Sequence, residues 1–270
     1  MITIPFTKAH GARNDFLLTW DHAAPEESLR TRAAIAICDR NAGAGADGWL
    51  LVKPPSGERP AAIRLINPDG SEAEISGNGT RCAAAFLCDA DLAGEEIVIE
   101  TGAGAKHLRL LKRDGLTFEF EMKMGEPRIE EGHLRFQLPC RDGAHECTIL
   151  YVGNPQCALF VEDFDFDWKA LGSEIDWHPQ FPNRTNVSFV KVVDRHTLDV
   201  RFFERGAGFT MSSGTGSTGA VAAAMARGLV ESPVTVRTLA GPLEFRSEGA
   251  GLTMVGPAEI VAGGEFYFRG

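Results

Sequence analysis

The chain repeats itself, and no other feature constrains its fold as strongly. One copy of the pattern runs Asn67-Pro-Asp-Gly-Ser-Glu-Ala-Glu-Ile-Ser76-Gly77-Asn78-Gly79 and continues into Thr-Arg-Cys-Ala-Ala-Ala-Phe86. The other runs Glu204-Arg205-Gly-Ala-Gly-Phe-Thr-Met-Ser-Ser213-Gly214-Thr215-Gly216 and continues into Ser-Thr-Gly-Ala-Val-Ala-Ala-Ala224. In each, a polar residue stands nine positions before a Ser-Gly-x-Gly turn, and an alanine-rich, helix-favouring segment follows. A second pair lies at nearly the same offset, about half the chain: Asn14 ahead of Asp15-Phe16-Leu17, and Asn154 ahead of Pro155-Gln156-Cys157. Two matches at one offset imply two homologous domains.

Short alternating runs predict strands at Ile63–Ile66, Ile97–Glu100, Leu116–Glu121, Val187–Val192 and Leu198–Phe203. Helical patterns cover Pro25–Asn41, Asn78–Ala90 and Gly216–Gly228. Many strands with one principal helix per half predict an α+β chain of two homologous domains, each a curved, mostly antiparallel sheet around a central helix. Glu126-Pro127 marks the expected crossing, giving domains 1–125 and 126–258.

A formal net charge of -10 disfavours nucleic acid and anionic membranes as partners, because both require clustered Lys and Arg. The most apolar helical stretch, Ala220 to Val230, is short and broken by Arg227, so no membrane span is expected. No basic start leads into an apolar run, and a cytoplasmic setting is the expectation. The six cysteines form no C-x-x-C pair and read as buried free thiols. Histidines are scattered, and no metal site is assigned. Two matches to G-x-G-x-x-G, at Gly43–Gly48 and Gly214–Gly219, lack the strand–turn–helix setting and acidic partner of a dinucleotide site. No cofactor is expected.

A Ser-Gly-x-Gly turn opening a helix presents N–H groups without partners inside the helix, and these bind a carboxylate or a developing oxyanion. A lone turn of this kind reads as an ordinary serine N-cap. Its duplication favours a site in which the two helix N-termini face one cleft, with a Ser hydroxyl on either side of one α-carbon. Glu204-Arg205 reads either as a solvated charge pair or as a grip on a substrate ammonium and carboxylate. Asn14, Asn67, Asn154 and Asn186 sit at turn-like places, where they serve turn chemistry or bind a doubly zwitterionic ligand.

These residues, in order, resemble the diaminopimelate epimerase family. Phe6-Thr-Lys-Ala-His-Gly-Ala-Arg-Asn14 matches the family's opening, Ala46-Asp47-Gly48 its second motif, and Asn67 through Cys82 its first catalytic motif. Gly153-Asn-Pro-Gln, Phe181-Pro-Asn-Arg-Thr-Asn-Val, Glu204 through Gly216 and Gly256-Pro-Ala-Glu follow. The resemblance implies two similar domains with a cleft between them, and a last strand, about 259–270, returning to the first. It implies inversion of one stereocentre of diaminopimelate without cofactor or metal, with a product that feeds lysine and peptidoglycan synthesis. Carried onto this chain, it makes Ser76 and Ser213 the acid/base residues. Gly77, Asn78, Gly214 and Thr215 surround the reacting carboxylate. Asn14, Asn67, Asn154, Asn186, Glu204 and Arg205 hold the rest of the substrate. The partner is thus a small amino acid; a homodimer is left open.

Three departures stand out. Serine occupies both positions where the family carries catalytic cysteine, Arg13 stands where a small residue, usually glycine, is expected, and Gln156 replaces a histidine. Serine does not titrate near neutrality, so without an adjacent base it is a poor proton acceptor. Three readings therefore stay open at this point: an epimerase, a ligand-binding homologue without turnover, and an isomerase of another substrate.

Overall fold

The first half of the chain starts with a hairpin, β1 (Ile2–Gly11) and β2 (Asn14–Trp20), whose two-residue turn places Ala12 and Arg13 at φ of 48° and 58°. A two-residue turn of this hand needs positive φ at both positions, which explains the preference for a small residue, usually glycine, where Arg13 stands. Next come α1 (Glu27–Cys38), β3 (Gly48–Lys53), β4 (Ala61–Ile66), β5 (Glu72–Ala73), α2 (Gly77–Asp89), β6 (Glu96–Thr101), β7 (Gly104–Asp114) and β8 (Thr117–Gly125). The second half contains β9 (Phe136–Cys140), β10 (Gly143–Tyr151), β11 (Pro155–Phe160), α3 (Trp168–Asp176), β12 (Asn186–Asp194), β13 (Thr197–Glu204), β14 (Gly208–Thr210), α4 (Gly214–Ala226), β15 (Val234–Thr238), β16 (Gly241–Glu248) and β17 (Gly251–Phe268). This computed structural model describes residues 1–270, apart from the side chain of Glu248. It divides into two units, Met1–Met122 with Gly256–Gly270, and Lys123–Val255.

The duplication is visible strand by strand. In the first unit β1–β2 is antiparallel, β2–β3 parallel, β3–β4 and β4–β5 antiparallel, β4–β6 parallel, and β6–β7 and β7–β8 antiparallel. The second unit repeats that series from β10 to β17, with β11–β12 and β13–β15 as its parallel pairs. The fold is thus α+β, built from two homologous halves. The C-terminal part of β17 pairs antiparallel with β1, from His10↔Glu259 to Ile2↔Phe268, inside the first unit.

At the centre of each unit lies its alanine-rich helix. Every residue of α2 except Asp89 is buried, and α2 packs against β1, β2, β3, β4, β6 and β7. The equivalent helix α4 packs against β10, β11, β12, β13, β15 and β16. Small side chains let strands close around a helix on all sides at interior density, and Ala offsets part of the helix-breaking tendency of Gly.

Two expectations need correction. Each unit has a second helix, and α3 was not expected: it is only nine residues long, and its apolar pair Leu171 and Ile175 lies in an acid-rich stretch that masks the Asp167 N-cap, whose Oδ1 accepts from Ala170 N at 3.0 Å. The helical pattern at Pro25–Asn41 overshoots, because Asp39 Oδ1 accepts from the N–H groups of Asn41 and Ala42, at 2.7 and 2.8 Å, and turns the chain out of α1. No helix among the described residues is long and apolar enough to cross a membrane.

Candidate active site

Ser76 and Ser213 begin α2 and α4 in nearly the same conformation, with φ/ψ of -128°/121° and -139°/122°. Each hydroxyl accepts from the backbone N–H three residues on: Ser76 Oγ from Gly79 N at 3.1 Å, Ser213 Oγ from Gly216 N at 3.0 Å. The glycines permit this closeness. A Cβ at Gly216 would lie 2.9 Å from Ser213 Oγ and 2.8 Å from Phe202, and one at Gly79 would lie 3.2 Å from Ser76 Cβ. The serines are therefore N-caps, and the same geometry holds each Oγ in the positive end of a helix, where negative charge is stabilised.

The two copies then diverge. Ser213 is buried, and its single proton points at a carboxylate: Ser213 Oγ donates to Glu204 Oε1 at 2.6 Å. The other carboxylate oxygen, Oε2, accepts from Thr210 Oγ1 at 2.7 Å. Two hydroxyl donors on two oxygens is the pattern of an ionised carboxylate. Asn67 occupies the place equivalent to Glu204 in the first copy. Its Nδ2 donates to Ser71 Oγ at 3.0 Å and its backbone N–H to Ser71 O at 2.8 Å, within the turn joining β4 and β5. Half-buried Ser76 has no hydrogen-bonded carboxylate among the described residues. A carboxylate hydrogen-bonded to the capping serine is thus present at Ser213. Its signal was present in the repeat: the polar residue nine positions before each serine is an amide in one copy and an acid in the other.

In the first unit Asn14 and Asn78 meet. Asn78 Nδ2 donates to Asn14 Oδ1 at 3.1 Å, and Asn14 Nδ2 donates to Asp47 Oδ2 at 2.7 Å. Arg81, fully buried, donates through Nη2 to Asn78 Oδ1 at 2.6 Å, through Nη1 to Gly77 O at 3.2 Å and through Nε to Pro257 O at 3.0 Å. Burial lowers its pKa to about 10, which leaves it charged at neutral pH. Sequence reasoning missed Arg81 and the role of Asp47.

In the second unit Gln156 Nε2 donates to Asn154 Oδ1 at 2.7 Å, and Asn154 Nδ2 donates to Thr215 Oγ1 at 3.4 Å. Asn186 Nδ2 donates to Pro155 O at 2.9 Å, and its Oδ1 accepts from Arg205 N at 3.1 Å. The Arg205 guanidinium donates to Asn183 O at 3.1 Å. Fully buried Asp176 pairs with Arg184 and accepts from Thr185 N at 3.3 Å, anchoring the segment that leads into Asn186. The structure therefore gathers Asn154, Asn186, Arg205 and Thr215 into hydrogen-bonded groups around the start of α4 and the ends of β11, β12 and β13.

Cys82 lies inside α2, fully buried, and burial pushes its thiol up to about 12. It belongs to the core. Arg13 is exposed on its turn.

The sequence model of the family described as diaminopimelate epimerase matches residues 6–130 and 148–261. A diaminopimelate epimerase of Pelotomaculum thermopropionicum is 38% identical over 281 residues, covering 98% of this chain and 99% of the relative. One of Azoarcus sp. is 39% identical over 276 residues, covering 97% and 98%. Among solved structures, a hydroxyproline epimerase of Agrobacterium vitis with bound trans-4-hydroxy-L-proline is similar in fold, with a TM-score of 0.79 at 17% identity, covering 98% of this chain and 92% of that one. A Bacillus anthracis phenazine biosynthesis protein of the PhzF family gives 0.68 at 16% identity, covering 99% and 100%. The motifs, the doubled topology and the near-complete alignment agree: the chain belongs to the diaminopimelate epimerase family.

Proposed function

We propose that this protein is an isomerase that converts LL-diaminopimelate to meso-diaminopimelate, and that its product feeds lysine and peptidoglycan synthesis. The observation that carries the reading is the hydrogen bond from Ser213 Oγ to Glu204 Oε1, a hydroxyl with its own base at a helix N-terminus. In the deprotonation step the substrate Cα–H bond breaks and its proton passes to Ser213 Oγ, while the Ser213 hydroxyl proton passes to Glu204. The electron pair stays on the α-carbon and spreads into the substrate carboxylate. First-turn N–H groups at Gly77, Asn78, Gly214 and Thr215 stabilise that charge. Ser76 Oγ–H then protonates the opposite face, and water restores its proton while Glu204 releases its own. Asn14, Asn67, Asn154, Asn186 and Arg205 hold the remaining ammonium and carboxylate groups. The substrate is met in the cytoplasm, and a homodimer is the assembly to be tested by sedimentation.

The test is deuterium exchange. In deuterated water, LL-diaminopimelate should acquire α-deuterium and turn into the meso form. Ser76→Cys combined with Ser213→Cys should raise the rate by orders of magnitude, since a thiol ionises near neutral pH at a helix N-terminus and a hydroxyl does not. Diaminopimelate that binds, shown by calorimetry, but never exchanges at high enzyme concentration overturns the catalytic reading. An absence of binding overturns the substrate.

A further inference from the structure

A side-chain amide has two ends of nearly the same shape and opposite hydrogen-bonding character, so what a buried Asn presents to a ligand depends on which way round it is held. Asn14 and Asn78 lie in a chain of four residues whose outer members leave no choice. Arg81 is a donor only, and it donates to Asn78 Oδ1 at 2.6 Å. That turns Asn78 Nδ2 toward Asn14 Oδ1, at 3.1 Å. Asn14 Nδ2 is then turned toward Asp47 Oδ2, at 2.7 Å, and an ionised carboxylate is an acceptor only. Asp47 is itself held by Arg40, whose Nη2 reaches its other oxygen at 2.6 Å, and by the backbone N–H of Asp15 at 3.2 Å. Arg40 also pairs with Asp15 at 2.6 Å, and Lys8 pairs with Asp15 at 3.0 Å.

We propose that Asp47 and Arg81 are positioning residues: a donor-only end and an acceptor-only end fix the polarity of the Asn14 and Asn78 amides, so that Asn14 offers its remaining N–H to an acceptor group of carboxylate class on the ligand. The inference rests on the substrate reading above. It adds a reason for the charged cluster around Ala46-Asp47-Gly48, which lies one hydrogen bond from a residue assigned to the substrate. Reversing either amide would set carbonyl against carboxylate or N–H against guanidinium, so the chain holds both amides or neither.

The first arm of the test uses no ligand. In protein labelled with nitrogen-15 on Asn, the side-chain N–H groups of Asn14 and Asn78 should exchange slowly with solvent. Asp47→Leu should speed the exchange at Asn14, and wild-type exchange at the rate of exposed amides overturns the proposal without any variant. The second arm is calorimetry with meso-diaminopimelate. Asp47→Asn, whose amide accepts or donates equally well, should weaken binding about tenfold. In an Asn14→Ala background the same change should have no further effect, because Asp47 acts through Asn14. Equal losses in both backgrounds, or a fall in melting temperature with unchanged affinity, mean that Asp47 serves stability alone and overturn the proposal. If wild-type protein binds no diaminopimelate, the substrate reading fails, and the exchange arm still decides whether the chain sets amide polarity.

Discussion

Replacing Glu204 by Gln separates the chemistry of the second copy from its stability. The carboxylate accepts from Ser213 Oγ at 2.6 Å and from Thr210 Oγ1 at 2.7 Å. The amide has one acceptor oxygen and one donor nitrogen, so it keeps one of these bonds as it stands and forces the other hydroxyl to rotate. A charge-assisted hydrogen bond contributes about 1.5–3 kcal/mol, and part of that returns when the hydroxyl turns to accept from the new N–H, leaving a net destabilisation of about 1–2 kcal/mol. For a chain of this size that is a fall in melting temperature of roughly 2–6 °C. The rate should change far more. An amide cannot take the Ser213 proton, and a positioned general base contributes about 10²–10⁴ in rate, or about 3–5 kcal/mol of barrier. The assay is α-deuterium incorporation into diaminopimelate, followed by mass spectrometry beside a thermal melt. Thr210→Val is the control: it removes the other hydroxyl, leaves the Glu204–Ser213 bond, and should slow exchange by less than about tenfold. Exchange in Glu204→Gln within about threefold of wild type would refute the claim that Glu204 is the proton sink.

Three further outcomes are expected. Arg13→Gly should stabilise the protein by about 0.5–1 kcal/mol, since relief of a left-handed residue at φ 58° outweighs the extra freedom of glycine in the unfolded chain; a melting temperature that falls would show that Arg13 makes a compensating contact. Asp176→Ala should cost about 2–3 kcal/mol, because it removes the buried carboxylate that accepts from the Arg184 guanidinium and from Thr185 N, and should weaken substrate binding by loosening the path to Asn186; chemical denaturation and calorimetry read the two effects. A thiol reagent should label native protein at Cys140 alone, the half-buried one of the six cysteines, and slowly, because burial and the nearby Glu174 and Asp142 push its thiol up to about 11, and should label all six after unfolding; rapid native labelling of Cys82, whose thiol burial pushes up to about 12, would contradict its place in the core.

What the sequence determined by itself was local or repeated. The capping serines, the glycines after them and the alanine-rich helices are short-range features, and α2 and α4 begin where the Ser-Gly-x-Gly turns place them. Repetition carried this further, because two copies of one pattern imply two copies of one fold even where single strands such as β2 and β10 have no clear alternation of their own. The family's motifs then named the residues, Ser76 and Ser213 among them. Tertiary structure decided what those residues touch. Glu204 reaches Ser213 because β13 and β14 close a hairpin, with Phe202 opposite Thr210 and Glu204 opposite Gly208, just before α4 starts. Asn14, Asp47 and the Asn78–Arg81 pair of α2 come from three segments far apart in the chain, and their order as donors and acceptors exists only once β2, the start of β3 and α2 are packed. Hydrogen bonds of this kind depend on direction and on distances good to a few tenths of an ångström, and a linear sequence specifies such distances only through the pairing of strands far apart along it.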